Sequence, residues 1–371
     1  MDPISHCIPG PRFPGANPAH ITETRESTSF NENVHLALED PAYLRSMDGR
    51  DVQFPAPIMQ VENVGGFGGL AYSAPFRVLS DEGVRALRAV LDANEKFATM
   101  VPGRIPKCIR GIGYRSKFIR DLGYSPAVLR HLSQCAGVQV TPHGMCSNLS
   151  QTNFGEIGTG VKVDQWHLDS VPYVMVLLMS DATDMVGGEL QVARIPGDPR
   201  CALEAVKADE VSKEFIDTVK YPGPGYAIFM QGSRIAHGVT PVLSARERRL
   251  TVVNSYQSCN PFAEQRTVYQ TFRSMVGDEG EHLAPFEYAR HVAWRISGQM
   301  DYLLNKADYF GKDKRVALAE VLRRAAEELA RAKSLILDET KEEIPYQLNA
   351  DKIQSVRQVF EASKGQHRAK L

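Results

Sequence analysis

His167 and Asp169 stand one residue apart in "QWHLDSVPYVMVLLMSD", at the mouth of a nine-residue apolar run. On a strand, residues i and i+2 project from one face, so the imidazole and the carboxylate converge on a point. A chelate needs a third donor. His237 in "YAIFMQGSRIAHGVTPV" supplies one, 70 residues on, after another apolar run and a glycine-containing turn. Two histidines and one carboxylate on one side of a divalent metal leave positions open opposite, the arrangement of non-haem Fe(II) sites. A lone His-x-Asp pair arises by chance in a chain this long, so the reading depends on what surrounds it.

The surroundings come in a fixed order. "GGEL" (187–190) follows the pair as a tight turn into a strand, "PGPGYAIFM" precedes His237, and "RERRLTVVNSY" follows it. Taken together, His167-x-Asp169, Gly187-Gly188-x-Leu190, His237-Gly-Val-Thr-Pro-Val and Arg249-Leu-Thr251 resemble the Fe(II)/2-oxoglutarate-dependent dioxygenases. The texture is that of their phytanoyl-CoA hydroxylase-like and prolyl-hydroxylase-like branches. The resemblance covers about a third of the chain, from 143 to 260, and extends more weakly to the helical "VLSDEGVRALRAVL" (78–91).

The resemblance implies a double-stranded β-helix that binds Fe(II) through His167, Asp169 and His237, with 2-oxoglutarate and O2 as co-substrates. It also implies an arginine on the strand after the distal histidine, gripping the far carboxylate of 2-oxoglutarate. Arg248 and Arg249 compete for that role. Alternation puts Arg249, Thr251 and Val253 on one face and Arg248, Leu250 and Val252 on the other. Only the first set joins a guanidinium to a hydroxyl, which suits a carboxylate. Arg249 with Thr251 is therefore the expected clamp, with Arg246 and Arg248 as surface charges.

Asn148 and Gln151 are candidates for the other end of 2-oxoglutarate, with solvent-facing polar residues as the alternative. Substrate candidates are Trp166, beside the pair, and Ile344 and Tyr346 in "EEIPYQLN", a lid-like segment or an interhelical turn. His131, His143, His282 and His291 have no partner at ligand spacing and read as structural. Halogenating relatives replace the metal-bound carboxylate by a small residue. Asp169 therefore implies hydroxylation, desaturation or oxidative ring closure of a small molecule, such as a free amino acid or a secondary-metabolite intermediate. Two other classes fit the same residues: a cupin-type metalloenzyme that does not use 2-oxoglutarate, and a non-catalytic jelly-roll binding module.

The elements that must position these residues are legible in outline. Ser80, followed by Asp81 and Glu82, caps a helix carrying Val84, Leu87, Val90 and Leu91 at helical spacing. Ser125-Pro126 starts another, with Val128, Leu129 and Leu132. From 138 to 260 short apolar runs alternate with Gly, Pro, Asp and Asn, the pattern of a sandwich or barrel. After 285 the helical period returns, with Leu318, Leu322, Ala325, Leu329, Ala332 and Ile336 on an apolar face and Arg323, Arg324, Glu327, Glu328 and Arg331 largely opposite. The expected class is α+β: an irregular arm (1–60), a jelly-roll domain with N-terminal helices (61–284) and a helical extension packed on it (285–371). The last helix leaves contact with a second copy open.

A net charge of −1 provides no general positive field for nucleic acid or an anionic membrane. No apolar run reaches the ~18 residues of a membrane span. Six scattered cysteines with no CxxC pair suit reduced thiols in an intracellular, cytoplasmic protein. The N-terminal "MDPISHCIPGPRF" lacks the regions of a secretory signal. The closing Ala-Lys-Leu reads either as a peroxisomal address or as a frayed basic tail.

Overall fold

A computed structural model describes residues 6–15, 17–18, 21–54, 69–195, 197–275, 277–307 and 314–342, with Gln354 and Gln358. Two antiparallel sheets dominate it. In the larger, of eleven described strands, Tyr226–Met230, Tyr173–Leu178, Arg249–Ser258, Gln151–Gly155, Ile105–Ile109 and Thr99–Val101 lie side by side in that order. The smaller runs Ile216–Val219, Leu190–Ala193, His237–Val239, Asp164–His167.

Strand Tyr173–Leu178 shows why the central run is apolar at every position. It is covered on both faces, so alternation between apolar and polar residues has no use there. Tyr173, Met175 and Leu177 join a core with Leu87 and Leu91 of the helix Asp81–Asn94, Phe118 and Leu122 of Lys117–Gly123, and Val128 and Leu132 of Pro126–Ala136. Val174 and Val176 point the other way, packing with Leu190, Val192 and Val239 of the smaller sheet. Truncating a wholly buried residue such as Leu177 to Ala costs about 2–5 kcal/mol, because the rigid layers relax poorly into the gap.

The capped helices form as their sequences direct. Ser80 Oγ accepts from Gly83 N at 3.0 Å, and Ser125 Oγ accepts from Val128 N at 3.2 Å. Other elements depart from the sequence reading. A nine-residue helix, Pro199–Lys207, interrupts the β region, started by Asp198, whose carboxylate caps Arg200 N. Within the stretch read as an irregular arm, Leu44–Ser46 forms a strand that pairs with Leu70–Ser73 and joins the larger sheet. A 25-residue helix, Gly277–Asp301, runs across the expected boundary between the jelly-roll domain (61–284) and the helical extension (285–371).

That helix is tied to the body by a buried carboxylate. Glu287 accepts from Tyr114 Oη at 2.6 Å, Ser147 N at 2.8 Å and Ser147 Oγ at 2.6 Å. The last helix, Lys314–Ile336, packs inward with Ala325 and Ala332 of the expected face, and with Leu318 and Ile336 partly buried, but it is rotated so that two of the leucines turn out. Val321, Ala325, Ala332 and Leu335 are buried, whereas Leu322 and Leu329 are about half exposed. The reason is polar: Glu328 turns inward to meet Arg295 and Gln299, and this buried pair sets the rotation of the helix.

Candidate metal centre and cavity

The residue pair at the end of strand Asp164–His167 meets His237 by strand register. Strand His237–Val239 pairs antiparallel with it, and His237 lies directly opposite His167. The two rings sit 4.1 Å apart between centroids. Asp169, two residues beyond His167, reaches His167 Nε2 at 3.3 Å with one oxygen and His237 Nε2 at 3.4 Å with the other. One donor atom from each residue fits within 4.8 Å of the others.

Local backbone fixes which ring nitrogens face the centre. His167 Nδ1 donates to the Gln165 carbonyl at 2.6 Å and His237 Nδ1 to the Ile235 carbonyl at 2.8 Å. Each ring is held by a carbonyl two residues earlier, which leaves both Nε2 lone pairs directed inward, the tautomer a metal requires. Burial is the main reason His237 is drawn down to about 4, with His167 beside it adding to the effect. The His237 ring is thus a neutral ligand at ordinary pH. Burial would raise the Asp169 carboxyl, but the neighbouring His237, His167 and Arg104 outweigh it and hold the group well below the usual carboxylate range. Asp169 Oδ2 accepts no hydrogen bond. A carboxylate oxygen that accepts no hydrogen bond, set between the Nε2 atoms of two imidazoles, is a donor set that fits a divalent metal.

Glycines make room for this geometry. A Cβ on Gly232 would lie 1.8 Å from Asp169 Oδ2, and the Gly232 carbonyl accepts from Asp169 N at 2.9 Å. Gly188 has φ +70 and would press a Cβ to 3.1 Å from Arg249 Cδ. The "GG" turn therefore lets the Arg249 side chain pass beneath it.

Arg249 points into the same cavity from the larger sheet. It is 1% exposed, and it donates through Nη1 to Thr251 Oγ1 at 3.2 Å, while Nη2 has no hydrogen-bond partner. An unpaired guanidinium nitrogen this deeply buried is costly unless an anion arrives to meet it. Arg248, on the opposite strand face, is not the surface charge expected. It forms a half-buried fork on Glu95, at 2.6 and 2.5 Å, and stacks over Phe154, because that face turns toward the end of helix Asp81–Asn94. Arg246 is exposed and pairs with Asp184.

Asn148 and Gln151 both line the cavity. Asn148 donates to Ser255 Oγ at 2.6 Å and its Oδ1 is unmatched; Gln151 donates to Asn153 Oδ1 at 2.7 Å. Trp166 does not line it. Alternation turns its ring away from His167 to pack with Leu168, Ala193 and Leu203. Ile344 and Tyr346 lie outside the described residues, as does the C-terminal Ala-Lys-Leu.

Sequence reasoning missed four residues here. Asn153 shares a strand face with Gln151, one alternation further on. Arg104, at a hairpin, forks onto Asp164 at 2.8 and 3.2 Å and extends Nη2 to His167 Nε2 and, at 3.5 Å, to Asp169 Oδ1. Arg110, one residue past strand Ile105–Ile109, lines the cavity over Phe272. Asp164, three residues before His167, carried a signal in its spacing; the two arginines, some 60 residues upstream, carried none.

No protein-family model matches the chain, and no curated protein does. Several solved structures overlap part of it. EctD from S. alaskensis in its apoform is 16% identical, covers 60% of this chain and 84% of its own, and has a TM-score of 0.38. The non-heme alpha-ketoglutarate-dependent epimerase SnoN from nogalamycin biosynthesis is 13% identical over 50% of this chain and 78% of its own, with a TM-score of 0.36. An oxidoreductase of the 2OG-Fe(II) oxygenase family from Burkholderia pseudomallei is 14% identical over 51% and 83%, with a TM-score of 0.32. These are partial overlaps at low identity, so the functional reading stands on the side chains of the cavity.

Proposed function

We propose that this chain is a non-haem Fe(II)- and 2-oxoglutarate-dependent oxygenase of small molecules, with its two facing sheets forming a double-stranded β-helix. One observation carries the reading. The Nε2 atoms of two imidazoles and a carboxylate converge in the same cavity as a buried guanidinium with an unmatched Nη2. A cupin that takes no anionic co-substrate would leave that guanidinium without an anion, and a binding module would have no need of the three donors beside it.

In this reading His167, Asp169 and His237 hold Fe(II). Arg249 and Thr251 take the distal carboxylate of 2-oxoglutarate, and Asn148, Gln151 and Asn153 offer amides to its other end. Iron, O2 and 2-oxoglutarate together supply the oxidation of an unactivated C–H bond. The chain's own part is positional. The Gln165 and Ile235 carbonyls fix the ring rotations, Asp169 contributes the charge, and Val174, Val176, Leu190 and Val239 keep water from the reacting centre. Asp169 fills the position a halide would need, which favours hydroxylation, desaturation or ring closure.

The test is aerobic incubation with Fe(II), ascorbate and 2-oxoglutarate across a panel of small metabolites, with succinate as the readout. Succinate release should rise with one class of compound and vanish in His167→Ala. Arg249→Gln should raise the 2-oxoglutarate requirement at least ~30-fold, the scale of losing one partner of a buried charged pair. Iron bound at the triad with no 2-oxoglutarate turnover would favour the cupin class instead.

A further inference from the structure

Arg104 is fixed beside the metal donors from the backbone up. It lies in the turn joining strands Thr99–Val101 and Ile105–Ile109, where its N–H donates to the Val101 carbonyl at 3.0 Å. Its own carbonyl accepts from Gln165 N at 3.3 Å, which ties the turn to the strand that ends in His167. The side chain is buried and forks onto Asp164, itself buried, through Nε at 2.8 Å and Nη2 at 3.2 Å. That fork sets Nη2 against His167 Nε2 and, at 3.5 Å, against Asp169 Oδ1. Two of the three donors therefore meet a cation before they meet a metal.

The anchor limits how far this cation can retreat. Swinging clear would break both bonds to Asp164 and leave its carboxylate buried without them, the costly way to open a buried ion pair. A small shift that keeps the fork leaves the guanidinium next to whatever occupies the triad. Its charge then acts in two opposite directions. It repels a divalent metal arriving alone, and at a few Å in a partly buried site that repulsion is substantial. It attracts an anion bound to that metal, because a guanidinium and a carboxylate form charge-assisted hydrogen bonds. Coupling of this kind is reciprocal: if Arg104 makes the anion tighten the metal, the metal tightens the anion equally.

We propose that Arg104 couples two ligands of this site, weakening the triad for a metal alone and strengthening it for a metal that carries a chelating carboxylate. The inference rests on the metal assignment of the oxygenase reading, not on the identity of the diacid. Arg104 is then a positioning residue, held by Asp164, that makes the centre assemble with its anionic co-substrate instead of filling with bare metal.

The experiment titrates full-length protein with Mn(II) by calorimetry, with and without saturating oxalate, corrected for the Mn(II)–oxalate complex in solution. Oxalate chelates a metal through two carboxylates and lacks the arm that Arg249 would hold. The gain in Mn(II) affinity that oxalate brings should be at least tenfold larger in wild type than in Arg104→Met combined with Asp164→Asn. Arg104→Lys, which keeps the charge but not the fork, should lose at least threefold of that gain. Arg249→Gln should keep all of it. Metal-free thermal melts check folding, and Arg104→Lys supplies the comparison by itself if the double variant melts early. An equal gain in wild type and the Arg104 variants overturns the proposal, as does a gain that disappears in Arg249→Gln. The same titration with 2-oxoglutarate separates the two readings. Coupling to oxalate without coupling to 2-oxoglutarate would sink the oxygenase reading and leave the role of Arg104 standing. Absence of any Mn(II) binding at the triad would sink both.

Discussion

The Arg104 guanidinium is in hydrogen-bond contact with His167 Nε2, the ring nitrogen that the Gln165 carbonyl leaves bare. The same Nη2 lies 3.5 Å from Asp169 Oδ1, so one cationic nitrogen rests on two of the three metal-donor atoms. Asp164 anchors it there through two further bonds.

A metal entering the triad must displace that nitrogen and tolerate its charge. Two like charges a few Å apart in a partly buried site repel by several kcal/mol even at an effective dielectric near 20. Arg104→Met combined with Asp164→Asn removes the cation without stranding a buried carboxylate. This double variant should bind Mn(II) at least tenfold more tightly than wild type by calorimetry. An unchanged affinity would mean that Arg104 swings clear at no cost.

Gly232 should be intolerant of any side chain for reasons of metal binding, not of folding. A Cβ there meets Asp169 Oδ2 at 1.8 Å and Asp169 Cβ at 2.9 Å, so the carboxylate must move. Gly232→Ala should lower the metal-free melt only modestly, by the ~1–3 kcal/mol of local overpacking. In wild type, Mn(II) should raise the melting temperature by mass action, and in Gly232→Ala most of that rise should disappear. A metal-induced shift equal to that of wild type would show that Asp169 is not a ligand.

Glu287 should make stability depend on pH. Burial pushes its carboxyl up to about 7, although Ser147 and Tyr114 donate to it. A folded-state value above the unfolded one, near 4.5, means that the native protein holds the proton more tightly. The associated stability is complete below about 4.5 and drains away as pH rises through about 7, on the order of 3 kcal/mol in total. Denaturant melts between pH 4.5 and 7.5 should follow that slope in wild type and flatten in Glu287→Gln. A flat wild-type profile would mean that the three donors hold Glu287 ionised throughout.

The chain itself determined the order and kind of the donors. His-x-Asp before a long apolar run, a histidine after the next one and a guanidinium two residues from a hydroxyl are local patterns. Strand alternation alone separated Arg249 from Arg248. Caps such as Ser80 and Ser125 were legible for the same reason, since a cap acts within three residues of itself.

Only the tertiary structure decided what comes from afar. Arg104 and Arg110 reach the cavity through a hairpin and a neighbouring strand some 60 residues upstream of the triad, and no spacing encodes that meeting. The rotation of the last helix was hidden similarly. Its leucines favour one face, but Glu328 finds Arg295 on another helix, and a buried ion pair overrides apolar periodicity. Periodicity reports what one element could bury, whereas the partner across the gap decides what it does bury.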